Sequence, residues 1–479
     1  MVNAVAARPQ GDLVYITGYS SSDETGADFT TVALESGTGQ VVWHARHQGE
    51  TQPTEFPSDH ANALVVSPDG SALFVAGWQD LYGIPTGPQQ FKAYADMGLV
   101  AYDAVTGREL WTASYGAPYE GGDDRAYDVA VGPQGDRVFI TGRSSGEGTK
   151  FDYATVAFDT GTGERLWAAR YDGPFATEPG PTTGEDGLAP DDRPYRIRVS
   201  PDGDEVFVTG WSRSAAGDYD IATIAYDSGV NDTEEEEHGG EVLWTSRFDG
   251  GVSGLDGVFD MEVNSDGSLI HLAGYTTRAA AGDSCSDCDF LALTLDAETG
   301  QQQWSRRYAG PRGNDTGYYI EVSLAGDRVF VSGASPGVQG DWATLGYDAR
   351  TGEELWVSRY NSPTPDTEDS VRGLAMSPDG RTVIVTGYSA NPVFNGPPKT
   401  YLHADAVTVA YDAEDGSQEW IARHNASPLP LDTYAEDLSF IPSTLVVDPT
   451  GARAFVGRTY PRGFVDSYTY EFGAAAYDL

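Results

Sequence analysis

Lysine is almost absent from this sequence: Lys92, Lys150 and Lys399 are the only three in 479 residues. Arginine supplies nearly all the positive charge, and the formal net charge is −44. Such a surface repels nucleic acid and anionic membranes and attracts cations, so neither of the first two is expected as a partner. A GC-rich genome or a saline habitat would leave the same composition. Long apolar runs are also missing. None approaches the roughly 18 residues of a spanning helix, so no membrane insertion is expected. Cysteine is scarce: Cys285 and Cys288 stand alone in "GDSCSDCDF". Zinc would need four ligands, and no second pair or nearby histidine pair exists. A redox motif would open a helix, whereas this one falls between two expected strands. A local loop disulfide remains, and it fits an oxidising compartment. Catalytic signatures are missing as well: there is no GxSxG, HExxH or P-loop.

What is present is a repeat. "DDRAYDVAVGPQGDRVFITGRSSG", residues 123–146, returns in variant form along the whole chain. An Asp is followed eleven residues later by a turn Gly, and seven residues further by a second Gly that is expected to end a strand. After a variable loop another Asp opens a strand ending in "AYD" or similar, and a "TG" turn leads into a strand carrying Trp. The turn glycines are Gly11, Gly70, Gly135, Gly203, Gly267, Gly326, Gly380 and Gly451, spaced 54 to 71 residues apart. Seven repeats carry the tryptophan (Trp43, Trp111, Trp167, Trp244, Trp304, Trp356, Trp420) and the last does not. Each unit reads as four short strands joined by turn chemistry, as in "YDVAV", "RVFITG", "YATVAFD" and "RLWAARY". Four antiparallel strands repeated at this period predict the blades of a β-propeller. A single blade cannot cover both its faces, so the Trp is expected between neighbouring blades. Burying about 200 Å² of indole is worth roughly 5 kcal/mol gross.

The "AYDAVTGRELW" and "GYDARTGEELW" segments resemble the tryptophan-docking repeat of quinoprotein-like (PQQ-like) propellers. The "D..A..VAV...GDRVFITG" and "FDYATVAFD" segments are similar to SBBP-type repeats, found mostly in bacterial extracellular proteins. The resemblance covers the whole chain. It supports an all-β fold, a single propeller of eight blades of four antiparallel strands, the last incomplete. The blades fall near 1–50, 51–120, 121–180, 181–252, 253–313, 314–366, 367–432 and 433–479. It also implies a bacterial protein that is secreted or on the cell surface. The first residues, "MVNAVAARPQGDLVYITG", already belong to a repeat, so no signal peptide is expected there, and the leading Met is read as standing in for a removed targeting segment. Neither end offers an obvious strand to close the ring. Either the eighth blade has three strands or its fourth lies beyond this sequence.

Both repeated acids are expected on the face where the loops entering the first strand emerge. The first series is Asp59, Asp124, Asp192, Asp256, Asp315, Asp369 and Asp437. The second is Asp28, Asp96, Asp152, Asp220, Asp289, Asp341 and Asp405, with Glu471 in the last repeat. Because every blade carries them, a structural role is expected, with turn carboxylates accepting backbone N–H bonds. Positions that vary between blades discriminate better. On the first strand of four consecutive blades, one face carries Asp128, then Arg196 and Arg198, then Asp260 and Glu262, then Glu321. These predict an ion-pair belt in the central channel, or an anion site around the two arginines. Trp78 and Trp211, just after the second Gly, are candidates for stacking on sugar rings, and His60 and His403 are the histidines adjoining that face. The stretches 77–96 and 387–405 are long, aromatic and proline-rich, as specificity loops are. "NDTEEEEHGG" (231–240) reads as a solvated loop on the opposite face. Asp283, Asp287 and Asp289 offer oxygen ligands for Ca²⁺, though not at EF-hand spacing.

Two classes of function follow. The first is a non-catalytic extracellular scaffold binding carbohydrate, a small molecule or a protein, with Ca²⁺ as a stabilising ion; no cofactor is required. The alternative is an enzyme on the same scaffold, either a quinone-dependent dehydrogenase or a carbohydrate-active lyase or hydrolase. Quinoprotein dehydrogenases usually bear adjacent cysteines on the cofactor, and this chain has none, which counts against bound PQQ. The sequence leaves the oligomeric state open.

Overall fold

The computed structural model describes residues 1–22, 26–49, 59–87, 90–117, 122–146, 151–174, 192–229, 239–251, 254–278, 287–337, 341–362, 368–392, 402–424, 441–451, 453–462 and 469–478. Its strands form eight antiparallel sheets, each built from consecutive strands. Seven sheets have four strands, and the last, spanning 441–478, has three. No described residue is helical, so none of the described segments is a helix long and apolar enough to cross a membrane. Eight turn glycines against seven docking tryptophans thus translate directly into eight blades with a short eighth.

The tryptophans do what the repeat implies. In six of the seven the indole N–H donates to a backbone carbonyl of the next blade, as from Trp43 to Ala104 (3.0 Å), Trp111 to Thr160 (2.8 Å), Trp167 to Ser228 (3.0 Å) and Trp304 to Ala349 (2.8 Å). The "TG" turn explains itself through the same contact. Gly163 has φ of +74°, and a Cβ there would lie 2.6 Å from the Trp111 ring of the preceding blade. Glycine is needed both for the turn and for the indole lying on it. Between the blades, apolar faces close over rings such as Phe74, Phe139, Phe207 and Phe330, all buried.

Among the described residues no sheet mixes strands from the two ends of the chain. Arg453 of the eighth blade instead donates to the carbonyls of Ser36 (2.8 Å) and Gly37 (3.0 Å) of the first.

Two sequence expectations need correcting. The second glycine does not end its strand. Gly142 lies inside Arg137–Ser145, and a Cβ on it would meet the Arg125 carbonyl at 1.9 Å. Glycine stands there because the innermost strand is pressed against it, and the strand pairing continues beyond. For the same reason residues 77–96 are not a loop: Ala72–Gly87 and Gln90–Asp103 pair out to Gly87 opposite Gln90. Residues 393–401 of the second long stretch, and 231–238 of the acidic run, lie outside the described residues.

Candidate functional site

Every innermost strand carries a register shift at one place, where an extra residue stands opposite the second glycine. A β-bulge re-aims side chains. Here it sets which residue heads the channel wall. On blades three to six that residue is aromatic: Tyr127, Tyr195, Phe259 and Tyr318. They form a continuous arc, with centroid separations of 6.2 Å (Tyr127–Tyr195), 6.1 Å (Tyr195–Phe259) and 5.1 Å (Phe259–Tyr318), and all are half-buried. On blades one and two the residue is Asn3 or Asn62, whose amides donate to Ala61 and Ala126 of the next blade, both at 2.7 Å.

Below the arc lies the expected ion-pair belt. Arg196 Nε is 2.8 Å from Asp260 Oδ1, and Arg198 Nη2 is 2.7 Å from Glu262 Oε1. Arg198 also reaches Asp128 (3.3 Å) and Asp260 (3.7 Å). Asp128 and Asp260 in turn accept the backbone N–H of Ile197 and Ile320 on the following blade, both at 3.1 Å. The belt therefore ties blades three to six together. Burial would lower the Arg198 pKa, but Glu262, Asp128 and Asp260 more than offset this and hold it above its ordinary value. Glu321 sits at the end of the belt. Burial, followed by the charges of Glu262 and Asp260, raises its carboxyl well above the usual range. Glu262 is raised too, by burial, although Arg198 opposes this.

At the mouth, Trp78 already has two ring partners. His60 stacks on it at 4.4 Å and the Arg125 guanidinium sits 4.8 Å from its ring. Tyr19 also stacks with His60, at 3.9 Å. Burial and Arg125 lower the His60 pKa to about 4, so the imidazole is neutral in this stack. Trp211 is centred among Tyr195 (5.3 Å), Tyr219, Phe259 and Tyr275, and its buried indole N–H has no hydrogen-bond partner among the described residues. His403 lies on Leu402–Asp412 opposite Asn391, and its side chain is outside those described.

The first acid series is structural. Asp59, Asp124 and Asp192 each accept two backbone N–H bonds, as from Gly173 (2.8 Å) and Arg213 (2.9 Å) to Asp192. Asp256, Asp315 and Asp369 accept one each, from Gly250, Gly310 and Ser362. Asp437 is outside the described residues. The second series departs from expectation, because its partner is an arginine rather than amides. Arg170 meets Asp152 (2.8 Å), Arg247 meets Asp220 (3.0 Å) and Arg359 meets Asp341 (3.2 Å). These arginines stand three residues after the docking Trp, a W-x-x-R pattern readable in the sequence. Blade two has Ser114 there, and burial and the nearby Asp124 raise Asp96 to about 6.

Of the proposed calcium ligands, Asp283 lies outside the described residues, while Asp287 (3.4 Å) and Asp289 (2.7 Å) both lie on Arg278. Carboxylates converge instead at two blade junctions, Asp152/Asp172/Asp192 and Asp220/Asp249/Asp256, where members already hold the arginine and amide donors given above. Cys288 is disulfide-bonded, and Cys285, the only other cysteine, is outside the described residues.

The family model described as outer membrane protein assembly factor BamB matches residues 5–223, 235–393 and 294–456. No curated protein matches the chain. Among solved structures, the quinohemoprotein alcohol dehydrogenase of Comamonas testosteroni is similar with a TM-score of 0.51 at 13% identity, over 99% of this chain and 74% of its own. BamB from Moraxella catarrhalis gives 0.45 at 15% identity, over 99% of both chains. The periplasmic gluconolactonase of Pseudomonas aeruginosa gives 0.47 at 15%, over 87% and 97%. At these identities the likeness is one of fold.

Proposed function

Because the chain belongs to the family of the outer membrane protein assembly factor BamB, we propose that it is a non-catalytic binding scaffold whose recognition surface is the aromatic arc at the channel mouth. The observation that carries this reading is the arc itself. Tyr127, Tyr195, Phe259 and Tyr318 are the wall residues of four adjacent blades, half-buried and in mutual contact, where blades one and two have asparagine. Rigid aromatic rings with a polar tip are the residues that carry most binding energy at interfaces. The ionic groups beneath them are spent on one another, which supports a structural rather than a catalytic use.

The reading favours a protein segment over a sugar, since Trp78 is already engaged by His60 and Arg125. It keeps the SBBP-type character of the repeat and a periplasmic or extracellular location, the latter supported by the disulfide at Cys288. A pyrroloquinoline quinone fits this wall poorly. Its carboxylates would face Asp128, Asp260, Glu262 and Glu321, with Arg196 and Arg198 already paired. No step is derived through it.

A photoreactive residue at Ala334, on the mouth, tests the reading against one at Leu166 on the outer rim. In cells of the source, an adduct with a discrete partner is expected from position 334. Adducts only from position 166 would overturn it.

A further inference from the structure

The arginine that the sequence pattern hides is Arg372. It is the bulge residue of the seventh innermost strand, so it heads the channel wall next to the aromatic arc. Its guanidinium lies 5.2 Å from the Tyr388 ring centroid. Its charge bears on the phenols of Tyr318 and Tyr319 on the adjoining blade. Its Nε is buried without a hydrogen-bond partner among the described residues. No carboxylate pairs with it among the described residues, whereas the other arginines near it on the wall are matched: Arg196 by Asp260 and Arg198 by Glu262. In a chain of net charge −44, acids are abundant, yet no described one is paired with Arg372. A partly buried guanidinium with an open donor asks for an anion, and a planar carboxylate matches its fork.

We infer that the channel wall between blades six and seven binds a ligand carboxylate, with Arg372 as its counter-ion and the phenols of Tyr318, Tyr319 and Tyr388 around it. Glu262 and Glu321 further down the wall disfavour a doubly charged phosphate relative to a single carboxylate. The inference deepens the binding-scaffold reading and rests on it. The carboxylate can come from a free aromatic acid or from the C-terminus of a peptide chain.

Titration calorimetry on the full chain separates these, with benzoate, acetyl-glycyl-phenylalanine, its C-terminal amide and inorganic phosphate as probes. At least one free acid is expected to bind, with the peptide amide and phosphate at least tenfold weaker than it. Tighter binding of the peptide acid than of benzoate assigns a chain terminus, and the reverse assigns a small acid. Arg372→Gln is expected to weaken the bound acid at least tenfold, and Arg372→Lys, which keeps the charge and the fold but loses the fork, to weaken it less. Equal binding of acid and amide, an Arg372→Lys or Arg372→Gln variant that binds like the wild type, or no binding of either acid overturns the inference. That failure leaves an adduct at position 334 standing, whereas the absence of that adduct removes the wider reading.

Discussion

On blades three to five the wall below the bulge carries Asp128, Arg196, Arg198, Asp260 and Glu262, under the rings of Tyr127, Tyr195 and Phe259; blade six adds Tyr318, Tyr319 and Glu321. On blades one and two the same positions carry Asn3, Ala4 and Ala6, then Asn62, Ala63 and Val65. The backbone is the same in both halves, including the bulge. What differs is how each half holds its blades together at the axis: by charge in one, by a single amide-to-carbonyl bond per blade in the other. The structural task is met cheaply on blades one and two. The aromatic arc of the other blades exceeds this structural task, which supports the proposed recognition surface.

The belt should be the costliest place to break. Arg198→Met strands Asp128 and Glu262, and should lose about 2 to 4 kcal/mol. This is toward the low side for one partner of a buried pair, because the side chains are 28% and 29% exposed to the channel. Denaturant unfolding measures it, and adding Glu262→Leu should restore part of the loss. The first acid series sharpens the contrast by being indifferent to it. Asp59→Ala on blade two and Asp192→Ala on blade four should each cost about 2 kcal/mol, since each leaves two amides unpaired. In the quieter half, Asn62→Ala should cost only about 1 kcal/mol, the worth of one hydrogen bond.

The smallest effect is one of pH. The raised Glu321 carboxyl means that the folded state binds its proton more tightly than the unfolded state does. Stability from this group therefore falls as pH rises from the ordinary glutamate range through the raised value. Glu321→Gln removes that fall. The variant should be more stable than the wild type at pH 8, and the two should converge near the ordinary glutamate pKa of about 4. Unfolding midpoints at the two pH values check it.

The repeat made the blades, the docking tryptophans and the role of the first acid series legible, because each is local and recurs seven or eight times along the chain. The ion-pair belt was legible from alternation along single strands, as at Arg196 and Arg198. The arc and Arg372 were not, since the bulge inserts one residue and an alternating count assigns those side chains to neither face. The stack of Tyr19, His60 and Trp78 joins residues from separate repeats, so no spacing announces it. The W-x-x-R arginines stand in the sequence, but they meet their acids across strands, a contact that spacing alone does not give.

Hydroxyl-radical footprinting, comparing the protein in cells of its source with the purified chain, tests the central claim most directly. Tyr127, Tyr195, Phe259 and Tyr318 should be protected in cells, while the docking tryptophans and the outer-rim residues Leu110, Leu166 and Leu243 stay unchanged. Protection confined to the rim, with the four rings oxidised equally in both settings, would contradict it.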